Sequence, residues 1–186
     1  MTPAKVLAAI QRDKRYRQNL DWGKARPGHP EGTVRAHIAE LEQNLARLRS
    51  RLTAVEAEKI RLLIHTHDSF KAVAKRGVAI RDPDSHASLA RAFLAEFCAD
   101  TDLLAMVQWH DEPFALYRQF AAKGRFDPER MKNLLETITD WDLFLAFLLV
   151  DGCTAGKSSG FLHWFLAESR DKVKSRFTVR DIITHA

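Results

Sequence analysis

The chain has 186 residues, 46% of them hydrophobic and 28% charged, which reads as an ordinary soluble globular protein of one domain, or at most two small ones. Its net charge of +5 favours anionic partners: phosphate esters, nucleotides or nucleic acid. The longest apolar run, Leu143 to Val150, is far too short to cross a bilayer, which takes roughly 20 residues.

The N-terminal residues show no signal-peptide apolar region and run straight into a charged helix, so a cytoplasmic location is expected. Cys98 and Cys153 read as reduced, buried thiols rather than a disulfide framework. The first helix is predicted over residues 3–20, with Thr2 as cap and Pro3 at its first position. A loop from Asp21 to Gly32 holds two prolines and three glycines. A second helix starts near Thr33, and Val34, Ile38, Leu41, Leu45, Leu48 and Leu52 form one apolar stripe along it. That stripe is either core packing or a contact in a homodimer. Thr53 and Glu56 form a capping box that opens a third helix, expected to end near Gly77.

After the turn-rich segment VAIRDPDS, Asp84 or Ser85 caps a helix from His86 to about Phe97. Another starts near Asp100 and is expected to break or kink at Pro113. A short helix over 114–122 follows, then a strong start at Asp127-Pro128-Glu129. The apolar helix from Asp140 ends at Asp151-Gly152, the last long helix covers about Gly160 to Lys174, and Thr178 caps a short tail. No stretch alternates as a strand does. The expectation is one all-α domain over residues 1–186, a helical bundle with its core over about 32–170 and the N-terminal helix packed on it.

Several polar residues sit where an apolar environment is expected. The run Leu62-Leu63-Ile64 leads into His65-Thr66-His67-Asp68 and Lys71. Burying such groups costs several kcal/mol or more unless they are paired or bound to metal. Neighbours on a regular helix are about 100° apart, so His67 and Asp68 can share one ion only if the helix ends or bends there. An imidazole beside a carboxylate suits Zn, Fe, Mn, Co or Ni. Lys71, on the side of Asp68, suits an anionic substrate. His37 lies on the apolar face of the second helix, as a hydrogen-bonded core histidine or a ligand. Asp151 ends eight apolar residues; it needs a cation, unless the helix end carries it to solvent.

Taken in order, His37, His67-Asp68, His86, His110 and Asp151 resemble the HD-domain superfamily, whose signature is H…HD…D on an all-α bundle. The segments that carry the resemblance are GTVRAHIAEL, LLIHTHDSFK, HASLARAF, MVQWHDEPF and FLLVDGCTAGKS, which together span residues 32–158. The H-D-x-x-K of His67, Asp68 and Lys71 is the most specific of them. The resemblance implies that His37, His67, Asp68 and Asp151 hold one metal ion. It implies that His86 and His110 help to hold a second, with Asp68 as bridge. His29, followed by Pro30, is the alternative to His37. His65 reads as an outer or surface residue, Asp111 as a carboxylate that orients an imidazole, and His163 and His185 have no assigned role.

GCTAGKSS is not a phosphate loop, because the glycines of Gly152 and Gly156-Lys157-Ser158 are one residue too close and no strand precedes them. The turn does resemble the D-x-x-G-basic turn of some HD domains, including those attached to tRNA nucleotidyltransferases. Lys157 and Ser158 therefore read as substrate-phosphate contacts, with Lys24 and Arg26 as weaker candidates. Trp22, Phe70, Trp109, Phe114 and Trp141 are candidate pocket walls.

The resemblance implies a metal-dependent phosphohydrolase using one or two divalent transition-metal ions and a metal-activated water. Asp68 and Lys71 are its expected catalytic residues. The substrate is expected to be a small anionic phosphate ester, a nucleotide or cyclic phosphodiester. A branch of the superfamily holds two irons with the same six ligands and oxidises small anionic substrates with O₂, which is the alternative. A third reading is a metal-stabilised helical module that binds nucleic acid or protein.

Overall fold

A computed structural model describes residues 1–184 of the chain. It contains ten α-helices: α1 (Pro3–Arg12), α2 (Lys14–Asn19), α3 (Val34–Leu48), α4 (Ala54–Thr66), α5 (His86–Ala95), α6 (Thr101–Trp109), α7 (Glu112–Lys123), α8 (Pro128–Thr137), α9 (Trp141–Gly152) and α10 (Gly160–Ser169). No strand occurs among the described residues; isolated bridges, Gly23 to Thr33 and Arg26 to His29, pin the loop before α3. The chain is all-helical, as its periodicity predicts, and no described helix is long and apolar enough to cross a membrane.

The helices begin where local chemistry allows. Thr33, Ser85, Asp100, Asp127 and Asp140 each accept a hydrogen bond from the first-turn backbone, and the box of Thr53 with Glu56 is formed from both sides. α9 is buried along nearly its whole surface, from Trp141 through Val150. α3 and α4 pack on it, α1 packs on α4, and the hairpin of α5 and α6 closes over α4. The α3 stripe, Val34 to Leu52, is buried in the chain's own core, so it is core packing rather than a dimer contact.

Four predicted boundaries shift, each for a local reason. The helix over 3–20 breaks at Asp13, whose extended backbone ends α1 and whose side chain caps α2 through the Arg15 amide. The third helix ends at Thr66, not near Gly77. Pro113 does not break α6 but sits in the first turn of α7, where a missing N–H costs nothing. α10 stops at Ser169, and Asp142 of α9 gathers the chain beyond it by accepting from the Ser175 hydroxyl and the Arg176 backbone and guanidinium. Phe70 and Trp141 are core residues packed on Phe93 and Phe144, not pocket walls.

One contact fixes the end of α9 against α3. Asn44, fully buried, donates its amide to the carbonyls of Val150 (3.0 Å) and Cys153 (3.1 Å). These flank Asp151. Gly152 beside it leaves little room for a side chain, since an added Cβ would lie 2.6 Å from the Phe161 ring of α10, which would have to shift. Asn44→Ala removes the donor from both carbonyls and is expected to cost about 1–3 kcal/mol. A urea midpoint unchanged from wild type would show that the contact carries no stability.

Candidate metal centre

Two of the candidate ligands are presented by helix ends. A helix leaves its last four carbonyls without intrahelical donors. At the end of α4, Thr66 Oγ1 donates to Leu62 O (2.8 Å) and Ser69 Oγ to Thr66 O (2.8 Å). The backbone amide of His67 reaches Leu63 O, and His67 Nδ1 lies 3.0 Å from the same oxygen. A carbonyl only accepts, so Nδ1 carries the proton and Nε2 is left with its lone pair. His110 at the end of α6 repeats the device, with Nδ1 2.8 Å from Val107 O. Because α4 stops at Thr66, the 100° rule no longer separates His67 from Asp68, and His67 Nε2 stands 3.5 Å from Asp68 Oδ2.

The remaining residues converge on this point. His37 of α3 places Nε2 3.0 Å from Asp151 Oδ1 and 3.9 Å from Asp68 Oδ2. His67 Nε2 is 3.8 Å from Asp151 Oδ1. On the other side, His110 Nε2 and His86 Nε2 lie 3.5 Å and 3.7 Å from Asp68 Oδ1, and 3.2 Å from each other. Two groups of donors result: His37, His67 and Asp68, with Asp151 beside them, and Asp68, His86 and His110. Asp68 belongs to both and offers a different oxygen to each.

This set fits a cation. Ligands at about 2 Å from one ion sit about 3–3.5 Å apart, close to the separations found. Among the buried polar atoms left without a hydrogen bond, two converge here: His67 Nε2 and Asp68 Oδ1. Two imidazole nitrogens 3.2 Å apart repel unless a proton or an ion lies between them. The buried His and Asp residues could therefore hold one or two metal ions. Their nitrogen and carboxylate donors suit first-row transition metals and do not select one.

Electrostatics agree. Burial alone would raise the carboxyls of Asp68 and Asp151, yet Lys71 and Lys157 with the neighbouring imidazoles hold both well below the usual range. Lys71 Nζ lies 2.5 Å from Asp68 Oδ2 and Lys157 Nζ 3.1 Å from Asp151 Oδ1. Burial drives the His67 imidazole down to about 4 against the pull of Asp68 and Asp151. At His37 burial is outweighed by Asp151 and Glu31, and the imidazole is pushed up to about 9. At His110 burial is likewise outweighed by Asp111 and Asp68, and the value rises to about 8.

His29 lies in the loop, 3.0 Å from Glu31 Oε1. It makes a third group with Glu31 and His37 but is not one of those around Asp68. His65 is neither an outer ligand nor a surface residue. Tyr16 Oη meets its Nδ1 at 2.5 Å and Glu42 its Nε2 at 3.5 Å, which ties α2 and α3 to α4. His163 is exposed, and His185 lies outside the described residues. Lys71, Lys157 and Ser158 line the cavity of about 540 Å³ that opens on Asp68 and Asp151, together with Phe114, Tyr117 and Phe161. Arg26 lines a neighbouring cavity instead, and Lys24 is exposed.

Two residues were undervalued by sequence reasoning. Asp111 puts Oδ2 3.2 Å from His86 Nε2 and Oδ1 3.7 Å from His110 Nε2, as close as Asp68. Its signal was in the chain: His110-Asp111 is a second His-Asp dipeptide at a second helix end. Glu31 Oε1 lies 3.1 Å from His37 Nδ1, the outer position from which a carboxylate orients a ligating imidazole. Burial works against its charge, but His37 and His29 hold the Glu31 carboxyl down to about 2. No protein-family model, no curated protein and no solved structure matches the chain.

Imidazolium cannot ligate, so metal must displace protons from His37 and His110, whose raised values leave them charged at neutral pH. Uptake at pH 7 is expected to release about two protons. Affinity should rise with pH until His37 is neutral, near pH 9, and fall on acidification. Titration calorimetry in buffers of different ionisation enthalpy measures the release; none at pH 7 would contradict the assignment of these two histidines.

Proposed function

We propose that the protein is a metal-dependent phosphohydrolase of the HD type, acting on a small phosphate ester. The observation that carries the reading is the buried carboxylate of Asp68, set between two groups of imidazoles, with an ammonium beside it at Lys71 and another beside Asp151 at Lys157. The order of these residues along the chain is the order of the H…HDxxK…H…H…D resemblance.

In this reading His37, His67, Asp68 and Asp151 hold the first ion, and Asp68, His86 and His110 the second, with Asp111 beside them. Metal ions in such a site supply Lewis acidity and an activated water. Lys71 and Lys157 bind the phosphoryl oxygens and neutralise their charge, and the exposed Ser158 hydroxyl offers a further donor at the cavity wall. Phe114, Tyr117 and Phe161 give the cavity an apolar side that excludes water and strengthens those contacts. Glu31 keeps the His37 ring in register through Nδ1.

Generic phosphoesters assayed with Mn²⁺, Co²⁺ and Ni²⁺ test the reading. Metal-stimulated hydrolysis is expected, with at least a 100-fold loss in His67→Ala and in Asp68→Asn. In Lys157→Ala the larger change is expected in KM. Absence of metal-stimulated turnover, or turnover undiminished in His67→Ala, sinks it. The same six ligands and two lysines also favour a second reading, a diiron oxygenase of the same superfamily. Two irons per chain, a mixed-valent paramagnetic signal and substrate-dependent O₂ uptake would select it.

A further inference from the structure

A second cavity, of about 770 Å³, adjoins the metal centre. Lys71, Asp111, Phe114 and Arg118 line both spaces and form the border between them. The far walls come from the segment after α4 (residues 74–81), the start of α5, the face of α7 and the loop residues Trp22 and Arg26.

The charge of this wall is lopsided. Seven basic side chains line it against two acidic ones, an excess equal to the net charge of the whole chain, +5. Arg130 is neutralised by a two-pronged bond to Glu112, at 2.6 Å and 2.7 Å. Arg26, Lys75, Arg76, Arg81 and Arg118 make no ion pair among the described residues. Two of them are nevertheless held at the wall: Arg76 lies over Trp22 and Arg81 over Trp109, each 5.8 Å from the ring centroid. Like charges gathered in a concave, partly apolar wall repel one another and focus a positive field into the cavity. A guanidinium that lies over a ring face keeps its N–H donors for a phosphate or carboxylate.

We propose that this cavity is a subsite for a second anionic group of the substrate. The substrate is then an elongated molecule with two separated anionic groups. One meets Lys71 and Lys157 at the metal centre, and the other meets Arg76, Arg81 and Arg118. The volume is that of a small-molecule site, which favours such a substrate over nucleic acid. The inference rests on the phosphohydrolase reading for the first group and on the wall alone for the second.

Calorimetric titration of the full-length, metal-loaded protein with inorganic tripolyphosphate and with orthophosphate tests it. Tripolyphosphate is expected to bind at least tenfold tighter. Arg76→Ala and Arg81→Ala, which line only the second cavity, should each weaken tripolyphosphate about tenfold and orthophosphate less than twofold. Lys132→Ala, which removes the same charge from an exposed position of α8, should change neither. Equal binding of the two anions, or equal losses in all three variants, overturns the subsite. So does a single-stranded oligonucleotide that binds tighter than tripolyphosphate and depends on the same arginines. If the anion preference survives while no phosphoester is hydrolysed, the hydrolase reading has failed and the subsite stands. If phosphoesters are hydrolysed with no arginine-dependent preference, the subsite has failed and the hydrolase reading stands.

Discussion

The burial of Asp68 is the constraint on which the rest of the structure depends. An ionised carboxylate in an interior costs several kcal/mol unless charge and hydrogen bonds surround it. Here Lys71 takes one oxygen, while three imidazoles and Lys71 together keep the group ionised. Those partners come from different elements: His67 from the end of α4, His86 from the first turn of α5, and His110 from the end of α6. The close packing of α5 and α6 on each other and on α4 is therefore also what assembles one side of the centre. The other side hangs on α9, which is apolar enough to be buried on nearly every face and yet carries Asp151 in its last turn.

That arrangement explains which parts were legible in the sequence. Helix periodicity and capping residues place the helices from α3 onward, because Thr53, Ser85, Asp100 and Asp127 act through bonds within a few residues; the break at Asp13 that separates α2 from α1 did not show. His37 and Asp151 stood out because each interrupts an apolar face, and polar groups there need partners. The end of α4 was not legible. No glycine or proline marks Thr66. The helix stops because Thr66, His67 and Ser69 turn their own side chains onto its last carbonyls, a competition with the backbone that composition does not announce. The same competition is what turns His67 and Asp68 toward one point.

Glu31 and Asp111 were harder for another reason. Each matters only through a contact made in the folded chain, Glu31 with His37 and Asp111 with His86. Glu31 lies in a Gly/Pro loop whose course is set by the bridge of Arg26 to His29 and by Gly32, where φ is +79°. Charge behaved in the same way. A net +5 is weak information when spread over helix surfaces, and many of those charges do pair locally, as Arg15 with Asp13 and Lys172 with Glu168. What the linear chain hides is that the unpaired arginines of three distant segments face one cavity.

Of the two lysines at the centre, Lys71 connects it to that cavity. Without a metal ion, Lys71 and Lys157 serve as the cations that buried Asp68 and Asp151 require. An ion held by the same carboxylates would take over that task, because it would offer more charge at shorter range. Lys157 would keep its position through the bond of its ammonium to the Asp151 carbonyl. The charge of the two lysines would no longer be spent on the carboxylates alone. In the proposed reading, a metal centre built this way would raise the affinity of its rim for anions as it loads. Lys71 lines both cavities, so the gain would extend to the arginine wall as well.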